Sequence, residues 1–122
     1  MKRKHRLRTP AQFQAARQAA PRGWPHPLLV LYVAPNELAR TRVGVTVSHR
    51  VGKAVVRNRV RRRIREAARA RLPQVPAGHD LLFIARPASG VAGWAELRDA
   101  VETVLRRARL LAPATRADVV GV

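Results

Sequence analysis

The residues best suited to chemistry lie between Lys53 and Arg69, in the segment KAVVRNRVRRRIREAAR. Its centre, from Arg57 to Arg65, places six arginines and one asparagine in nine positions. In an α-helix, at about 100° per residue, the apolar side chains share one side: Val56, Val60, Ile64 and Ala67. The opposite side is a cationic ridge, made of Asn58, Arg61, Arg62, Arg65 and Arg69. The segment is therefore predicted to be a core helix that presents fixed positive charge to a polyanion.

The ridge has the spacing of a phosphate-binding surface. Neighbouring groups on one helix face lie about 5–6 Å apart, close to the interval between phosphates along a strand. Asn58 adds a donor and an acceptor that can recognise a sugar or a base edge. A solvated charged face usually alternates in sign, whereas only Glu66 interrupts this one, and like charges at i,i+4 destabilise a free helix. The ridge therefore indicates nucleic-acid binding.

Three further arginines of the segment, Arg57, Arg59 and Arg63, lie nearer the boundary with the apolar side. Each of them either contacts the ligand or braces the packing of the helix on the sheet.

The composition supports a nucleic-acid partner and disfavours membrane-spanning, secreted and disulfide-stabilised proteins. The formal net charge is +18, from 25 Lys+Arg against 7 Asp+Glu, which indicates nucleic acid first and an anionic membrane surface second. Codon bias explains the preference for arginine as readily as phosphate recognition does, because alanine is also abundant. No segment approaches the roughly 18 apolar residues of a membrane span, and the basic start MKRKHRLRTP leads into no apolar stretch. Without cysteine there is no disulfide framework or zinc knuckle, and a cytoplasmic location is the default.

Periodicity and turn residues predict three helices and three strands in the order α-β-β-α-β-α. We expect helices at 10–19, 53–72 and 94–110 and strands at 28–34, 42–48 and 80–85. The first two strands are expected to pair antiparallel, and the third is apolar enough to be buried on both faces. The chain is predicted to be one domain over 1–122, ordered from about 4 to 110, with a flexible tail at 111–122. Its fold class is α+β, a two-layer α/β sandwich with the helices packed on a small mixed sheet.

Two helices carry further local signals. Thr9, Pro10 and Gln12 predict an N-cap, a first helical residue and a capping-box partner for the first helix. In the last helix, Trp94 is expected to begin the buried stripe that continues through Leu97.

Two aromatic residues are candidates for stacking on bases. Phe13 lies on the inner face of the first helix. Tyr32 alternates with Leu31 and Val33 and so leaves their face of the strand. If the pleats are in register, Tyr32 shares its face with the polar side of the next strand, formed by Arg42, Thr46 and Ser48. Such a surface is a platform for unpaired nucleotides, and ordinary core filling is the alternative for both aromatics.

The sequence predicts no catalytic residue and no metal site of its own. The seven carboxylates are scattered, the four histidines lack metal-ligand spacing, and no serine stands in a nucleophile elbow. Double-stranded DNA is a possible target, but there is no helix-turn-helix pair and no dimerising heptad. A mixed α/β body with aromatics near basic groups fits RNA better.

The segment RVGVTVSHRVGKAVVRNRVRRRIREAAR resembles the signature of the bacterial ribonuclease P protein component. Arg57-Asn58-Arg59 stands where that family has its Arg-Asn-Arg motif, and Arg61, Arg62 and Arg65 occupy its continuing basic positions. The strand before the helix, Val43 to Ser48, is also similar. A weaker likeness covers about residues 4–110.

The resemblance implies the accessory protein subunit of an endoribonuclease that removes the 5′ leader of precursor tRNA. The RNA subunit would carry the chemistry with Mg²⁺, and the protein itself would bind no cofactor. The implied partners are ribonuclease P RNA and precursor tRNA, with no membrane and no small-molecule substrate. The family fold includes a left-handed βαβ crossover, which departs from the usual right-handed rule.

The resemblance also implies two binding regions. The catalytic RNA would be contacted by Arg57, Asn58, Arg59, Arg61, Arg62, Arg65 and Arg69. The cleft for the single-stranded leader is expected to involve Phe13, Arg17, Tyr32, Arg42, Thr46, Ser48, His49, Arg50 and Lys53. Arg17 stands where the family commonly has a second aromatic, and its guanidinium plane is expected to replace that ring. His49 stands at one of two usually basic positions, as a pH-sensitive substitute.

Two other functions remain open at this point. A ribosomal or ribosome-associated structural protein that binds rRNA would have the same composition but would need no leader cleft. A protein-only nuclease is disfavoured by the small number of carboxylates.

Overall fold

The computed structural model describes residues 1–112, which form three helices and a four-stranded sheet. The helices are α1 (Pro10–Ala19), α2 (Ala54–Arg71) and α3 (Trp94–Arg107). The strands are β1 (Gly23–Pro25), β2 (Leu29–Pro35), β3 (Arg42–Val47) and β4 (His79–Ala85). Short 3-10 turns occupy Arg3–His5, His49–Val51, Leu72–Gln74 and Pro87–Val91.

The sheet is mixed, which confirms the predicted α+β class, but its strand order differs from the expectation. The order is β1-β2-β4-β3, with β1–β2 and β2–β4 antiparallel and β3–β4 parallel. The expected antiparallel pairing of the first two long strands is therefore wrong, because β4 lies between them. β4 is almost entirely buried, as a strand covered on both faces should be, and so it occupies the interior of the sheet.

β1 lies between the first predicted helix and the first predicted strand, where the sequence analysis predicts no strand. It is a three-residue edge strand that contains a proline, which the edge of a sheet tolerates. The parallel β3–α2–β4 unit is the crossover that the family resemblance implies to be left-handed, and that handedness stays a prediction.

Helices cover both faces of the sheet, so the expected two-layer sandwich is wrong and the domain has three layers. On one face Leu31, Phe83 and Val45 are register neighbours and join the main core with α2 and α3. On the other face Leu7, Ala34 and residues of α1 form a smaller cluster. The two-layer expectation failed because the sequence does not reveal which face each helix covers.

The predicted apolar side of the basic helix is confirmed. Val60, Ile64 and Ala67 are each no more than 1% exposed, and Val56 packs against the same core. In α3, Leu97 and Val101 are fully buried, but Trp94 is 39% exposed, so its expected place on the buried stripe is wrong. Trp94 is the first residue of the helix, before the helix reaches the sheet.

Both ends of the described chain contact the main core. Met1 packs against it, and Leu110 and Leu111 are both buried in it. The ordered range of about 4–110 and the flexible tail stay predictions, and the part of the tail at 113–122 lies outside the described residues.

The start of α1 is fixed as the sequence predicts. The Thr9 hydroxyl accepts a hydrogen bond from the Gln12 amide at 3.2 Å, and Gln12 Oε1 accepts from the amides of Thr9 and Arg8 at 3.3 and 2.6 Å. This capping box satisfies amides that the first helical turn leaves free. It sets the position from which Phe13 projects towards the sheet.

Candidate nucleic-acid interface

The cationic ridge faces away from the core along α2. Asn58, Arg62 and Arg69 are exposed, and Arg61 and Arg65 are half-buried along their stems. Arg69 pairs with Glu66, its neighbour on the same helix. In the described part of the chain, no carboxylate pairs with the other ridge arginines. The ridge therefore keeps most of its charge available for an external anion.

Arg57, Arg59 and Arg63 instead donate hydrogen bonds to backbone carbonyls. Arg59 Nη2 donates to the Gly90 carbonyl at 3.1 Å, and Arg63 Nη1 to that of Ala92 at 3.3 Å. Arg57 Nη1 donates to the Gly52 carbonyl at 3.1 Å. These contacts support the bracing alternative, because each guanidinium connects α2 to a neighbouring turn.

Cations crowd together on the sheet side of the ridge. Burial, followed by the charges of Arg6 and Arg61, lowers the pKa of Arg65 from its ordinary value. Arg6 reaches this position because the chain before α1 runs beside β3, where the Leu7 amide donates to the Val43 carbonyl at 2.9 Å. An anion placed among these three guanidinium groups would relieve their repulsion, which is the electrostatic condition for binding phosphate.

The opposite face of the sheet has an aromatic floor. Gly23, Tyr32, Leu82 and Gly44 are register neighbours in one row across the four strands. A Cβ atom on Gly44 would lie 2.6 Å from Cε1 of Phe13, and one on Gly23 would lie 2.8 Å from Cε1 of Tyr32. Both rings therefore pack against backbone where glycine leaves room. This row places Tyr32 on the face of Arg42 and Thr46, as the alternation of the two strands predicts.

Arg17 covers the ring of Tyr32. Its guanidinium carbon lies 3.9 Å from the centroid of the ring, a cation–π contact. Arg17 is exposed and lies one helical turn after Phe13. That this guanidinium plane replaces the second aromatic ring of the cleft stays a prediction of the resemblance.

A groove of about 350 Å³ joins the aromatic floor to the ridge. Its walls come from the start of α1, from β3 and from α2: Arg8, Thr9, Pro10, Phe13, Val45, Thr46, Val47 and Arg61. Arg61 belongs both to the ridge and to this groove, which we call the α1–β3 groove. One continuous strand of nucleic acid could therefore contact both.

The remaining predicted cleft residues lie on the connection from β3 to α2. Ser48, His49, Arg50 and Lys53 are exposed there. His49 Nδ1 lies 2.7 Å from Arg57 Nη1. Because the guanidinium can only donate, Nδ1 accepts this bond and the imidazole Nε2–H is left as a donor towards solvent.

Arg42 is not brought together with the other cleft residues. It lies at the opposite end of β3 from Ser48, where it bonds the buried carboxylate of Asp80 at 2.9 and 2.8 Å. The hydrogen bond to Asp80 raises the pKa of Arg42, with burial opposing. Asn36 donates to the same carboxylate at 2.8 Å. Arg42 therefore links β3 to β4 through Asp80.

Sequence reasoning missed Arg6 and Arg8, which the structure adds to the interface. Arg8 lines the α1–β3 groove and Arg6 crowds Arg65. The available signal is the basic run MKRKHRLR, which also falls within the weaker family likeness. Its contact with α2 depends on the pairing of residues 6–7 with β3, which local patterns do not reveal.

Two classes of site find no support in the described residues. Among residues 1–112, no three His, Cys, Asp or Glu side chains gather where they could hold a metal ion. None of the helices described is both long and apolar enough to cross a membrane.

The fold and this interface define a class: a small α+β domain with an arginine-rich helix beside an aromatic groove, features typical of nucleic-acid-binding proteins. The family model described as Ribonuclease P matches residues 1–109. The chain therefore belongs to the ribonuclease P protein family, whose members are accessory subunits of an endoribonuclease of tRNA 5′ maturation.

Individual relatives agree with this placement. The ribonuclease P protein component of Roseiflexus castenholzii is 47% identical over 109 residues, covering 88% of each chain. That of Herpetosiphon aurantiacus is 43% identical, covering 90% of this chain and 89% of its own. The solved RNase P protein of Staphylococcus aureus superposes with a TM-score of 0.81 at 28% identity, covering 88% of this chain and 98% of that one.

Proposed function

We propose that this chain binds ribonuclease P RNA through the ridge of α2 and holds the 5′ leader of precursor tRNA in the α1–β3 groove. The observation that carries the proposal is the continuity of the two surfaces through Arg61. A nucleic-acid strand that follows the ridge remains close to positive charge as it enters the groove, because Arg8 and Arg61 both line the groove. The family match does not favour the ribosomal alternative.

Each surface has a different task in this proposal. The RNA contacts are assigned to Asn58, Arg61, Arg62, Arg65 and Arg69, while Arg57 and Arg59 hold α2 in place. Phe13 in the groove, and the Arg17–Tyr32 stack on the same face of the sheet, present planar faces to unpaired bases. His49, Arg50 and Lys53 extend positive charge beyond the end of β3, where phosphates of the leader would lie. Thr46 and Ser48 add hydroxyl groups on the same side.

The cutting chemistry is assigned to the RNA subunit, with Mg²⁺ bound there. The donor set of the protein fits this division, since its described carboxylates and histidines form no ligand cluster. The protein's contribution is to position two RNA molecules and to offset their phosphate repulsion, which matters most when Mg²⁺ is scarce. We also propose a cytoplasmic location, where such complexes meet new transcripts.

Reconstitution tests the proposed function directly. Cleavage of a precursor tRNA by the cognate RNA is measured at low Mg²⁺ with and without the full chain. We expect the protein to raise the rate at low Mg²⁺ and to have less effect at high Mg²⁺. If the protein gives no gain at any Mg²⁺ concentration, the proposal is wrong.

Paired variants separate the ridge from the rest of the charge. Arg62→Ala with Arg65→Ala should weaken binding to the RNA and reduce its salt dependence by about two phosphate contacts. The control, Arg22→Ala with Arg98→Ala, removes the same charge from outside both surfaces and should change binding little. Equal losses in both pairs would mean that net charge alone accounts for the affinity.

A second variant tests the groove. Phe13→Leu keeps an apolar side chain but removes the stacking face, and stacking is worth about 1–3 kcal/mol per base. Affinity for precursor tRNA should therefore fall about tenfold or more, while affinity for mature tRNA, which has no leader, should not change. If both affinities fall together, Phe13 acts on the fold and not on the leader.

A further inference from the structure

A second cavity lies apart from the α1–β3 groove. Its volume is about 660 Å³, within the range of about 300–1,000 Å³ that sites for small ligands occupy. It lies between the N-terminal segment and the end of α2, and its lining is Met1, Lys2, Lys4, His5, Arg69, Leu72 and Pro73. We call it the N-terminal cavity.

The wall formed by the N-terminal segment is held in place by long-range hydrogen bonds. The His5 ring nitrogen lies 3.0 Å from the Thr41 carbonyl, and Arg40 Nε donates to the Lys4 carbonyl at 2.7 Å. The amide of His5 closes the 3-10 turn on the Lys2 carbonyl at 3.0 Å. Met1 packs on the main core. The cavity is therefore a feature of the fold, built across more than 30 residues of chain separation.

The lining of the N-terminal cavity combines an apolar floor with a cationic rim. Met1, Leu72 and Pro73 offer apolar surface, and none of the lining residues is acidic. Lys2 and Lys4 have no carboxylate partner within residues 1–112, and Arg69 contacts only Glu66 among the acids described. A flat, partly apolar group attached to a phosphate matches both parts of this lining.

The position of the cavity selects among ligands of that kind. Arg69 is the last member of the ridge and also lines the cavity. An RNA strand held along α2 by Arg62 and Arg65 therefore reaches the mouth of the cavity. An unpaired nucleotide there can turn its base onto the apolar floor while its phosphates stay near the lysines.

We infer that the N-terminal cavity is a second RNA subsite, which takes one unpaired nucleotide of the RNA bound along the ridge. This inference rests on the proposed function, since it assumes that the ridge binds RNA. It adds a site that recognises a base to a surface that otherwise recognises phosphates. The residues that carry it are Lys2, Lys4 and Leu72.

Direct binding of small probes tests the chemistry of the cavity without the RNA subunit. The full chain, labelled with ¹⁵N, is titrated separately with AMP, UMP and inorganic phosphate. We expect saturable amide shifts at Lys4, His5 and Leu72 with a nucleotide, and smaller shifts there with phosphate. If phosphate alone produces the same shifts, the site recognises only an anion and the inference is wrong. Shifts confined to other residues would also overturn it.

Binding of the whole RNA tests whether the cavity is used in the complex. Lys2→Ala with Lys4→Ala should weaken binding to ribonuclease P RNA about tenfold at 0.1 M salt and lower the salt slope by about one to two. Leu72→Ala should weaken binding without changing the slope, because it removes only apolar contact. The control pair Arg22→Ala with Arg98→Ala should bind as the wild type does.

The two failures can be told apart. If the lysine pair and Leu72→Ala both bind as the wild type while the Arg62/Arg65 pair binds weakly, the cavity is not an RNA subsite but the proposed function stands. If the Arg62/Arg65 pair also binds normally, the proposed function itself fails. Leu72 is partly buried, so the thermal midpoint of the Leu72→Ala variant is measured as well. If this variant unfolds, the binding of the Lys2→Ala/Lys4→Ala pair alone decides the test.

Discussion

Arg59 and Arg62 show that neighbouring arginines in one helix do different things. Arg59 donates to the Gly90 carbonyl, and its Nε is buried without a partner. Arg62 is exposed, and no hydrogen bond or ion pair to it is found within residues 1–112. We therefore expect the first to contribute to folding and the second to ligand binding, although composition treats them as equal.

We predict opposite phenotypes for their alanine variants. Arg59→Ala removes a charged hydrogen bond between α2 and the turn at Gly90 and should lower the free energy of unfolding by about 1–2 kcal/mol. Arg62→Ala should change it by less than about 0.5 kcal/mol, but should lower the salt slope of RNA binding by about one. Urea denaturation and RNA titrations at several salt concentrations measure the two quantities. Equal loss of stability in both variants would contradict this division.

Residue types were easier to predict than residue partners. Arg61, Arg62 and Arg65 could be placed on one face because helical periodicity is local. The partner of Arg42 could not be found in this way, because Asp80 is 38 positions away and meets it only through the β3–β4 pairing. The sequence therefore predicts Arg42 as a cleft residue, whereas the structure shows it in a partly buried ion pair with Asp80.

Helices and strands show the same contrast: local signals predict a helix, whereas pairing between distant segments decides the strand order. The capping box at Thr9 and the amphipathic pattern of α2 fixed two helices close to their observed bounds. Strand order depends on pairing between distant segments, and the apolar character of β4 was noted without concluding that it separates β2 from β3. β1 was missed because three residues that include a proline give almost no strand signal.

The connection between β1 and β2 contains a titrating group, His26. His26 Nδ1 accepts a hydrogen bond from the Leu28 amide at 3.0 Å, so the neutral ring closes the turn. Burial, and then the charge of Arg107, lowers the pKa of His26 below its ordinary 6.5. Arg107 is near because its Nη1 donates to the Pro25 carbonyl at 2.7 Å.

We therefore predict that acid weakens this hairpin. Because the folded pKa lies below the unfolded one, the contribution of His26 to stability is complete above pH 6.5 and is lost as the pH falls through the lowered value. His26→Asn can keep an acceptor for the Leu28 amide but does not titrate. Its free energy of unfolding should therefore depend less on pH than that of the wild type, between about pH 7 and 5.

The matched control for this prediction is His79→Asn, which also removes one histidine but leaves His26 in its turn. The pH profile of His26→Asn is compared with the profile of this variant as well as with that of the wild type. If His26→Asn and the wild type give parallel profiles in urea denaturation, the turn is not the titrating element.

At the scale of the whole molecule, charge sets the balance between folding and binding. The net charge of +18 is spread over a domain that buries one main core and one small cluster. Most of the acids described are used in ion pairs, such as Arg71–Glu102 and Arg98–Asp99, and among the ridge arginines only Arg69 has a carboxylate partner, Glu66. The free protein therefore carries a repulsion that its RNA partner would remove.

This repulsion predicts that salt acts in opposite directions on the free protein and on the complex. Added salt screens the arginines of α2 and the N-terminal segment from one another, because the Debye length falls from about 30 Å at 0.01 M to about 10 Å at 0.1 M. The thermal midpoint of the free protein should therefore rise with salt. Affinity for RNA should fall about a thousandfold between 50 and 200 mM salt if about six phosphates are neutralised. Thermal melts and RNA titrations over one salt series check both trends.

The Arg62→Ala/Arg65→Ala pair should flatten both curves, since the same charges cause the repulsion and the binding. A midpoint that does not change with salt, beside a steep loss of affinity, would mean that the ridge binds RNA but that repulsion among its arginines does not limit the stability of the free protein.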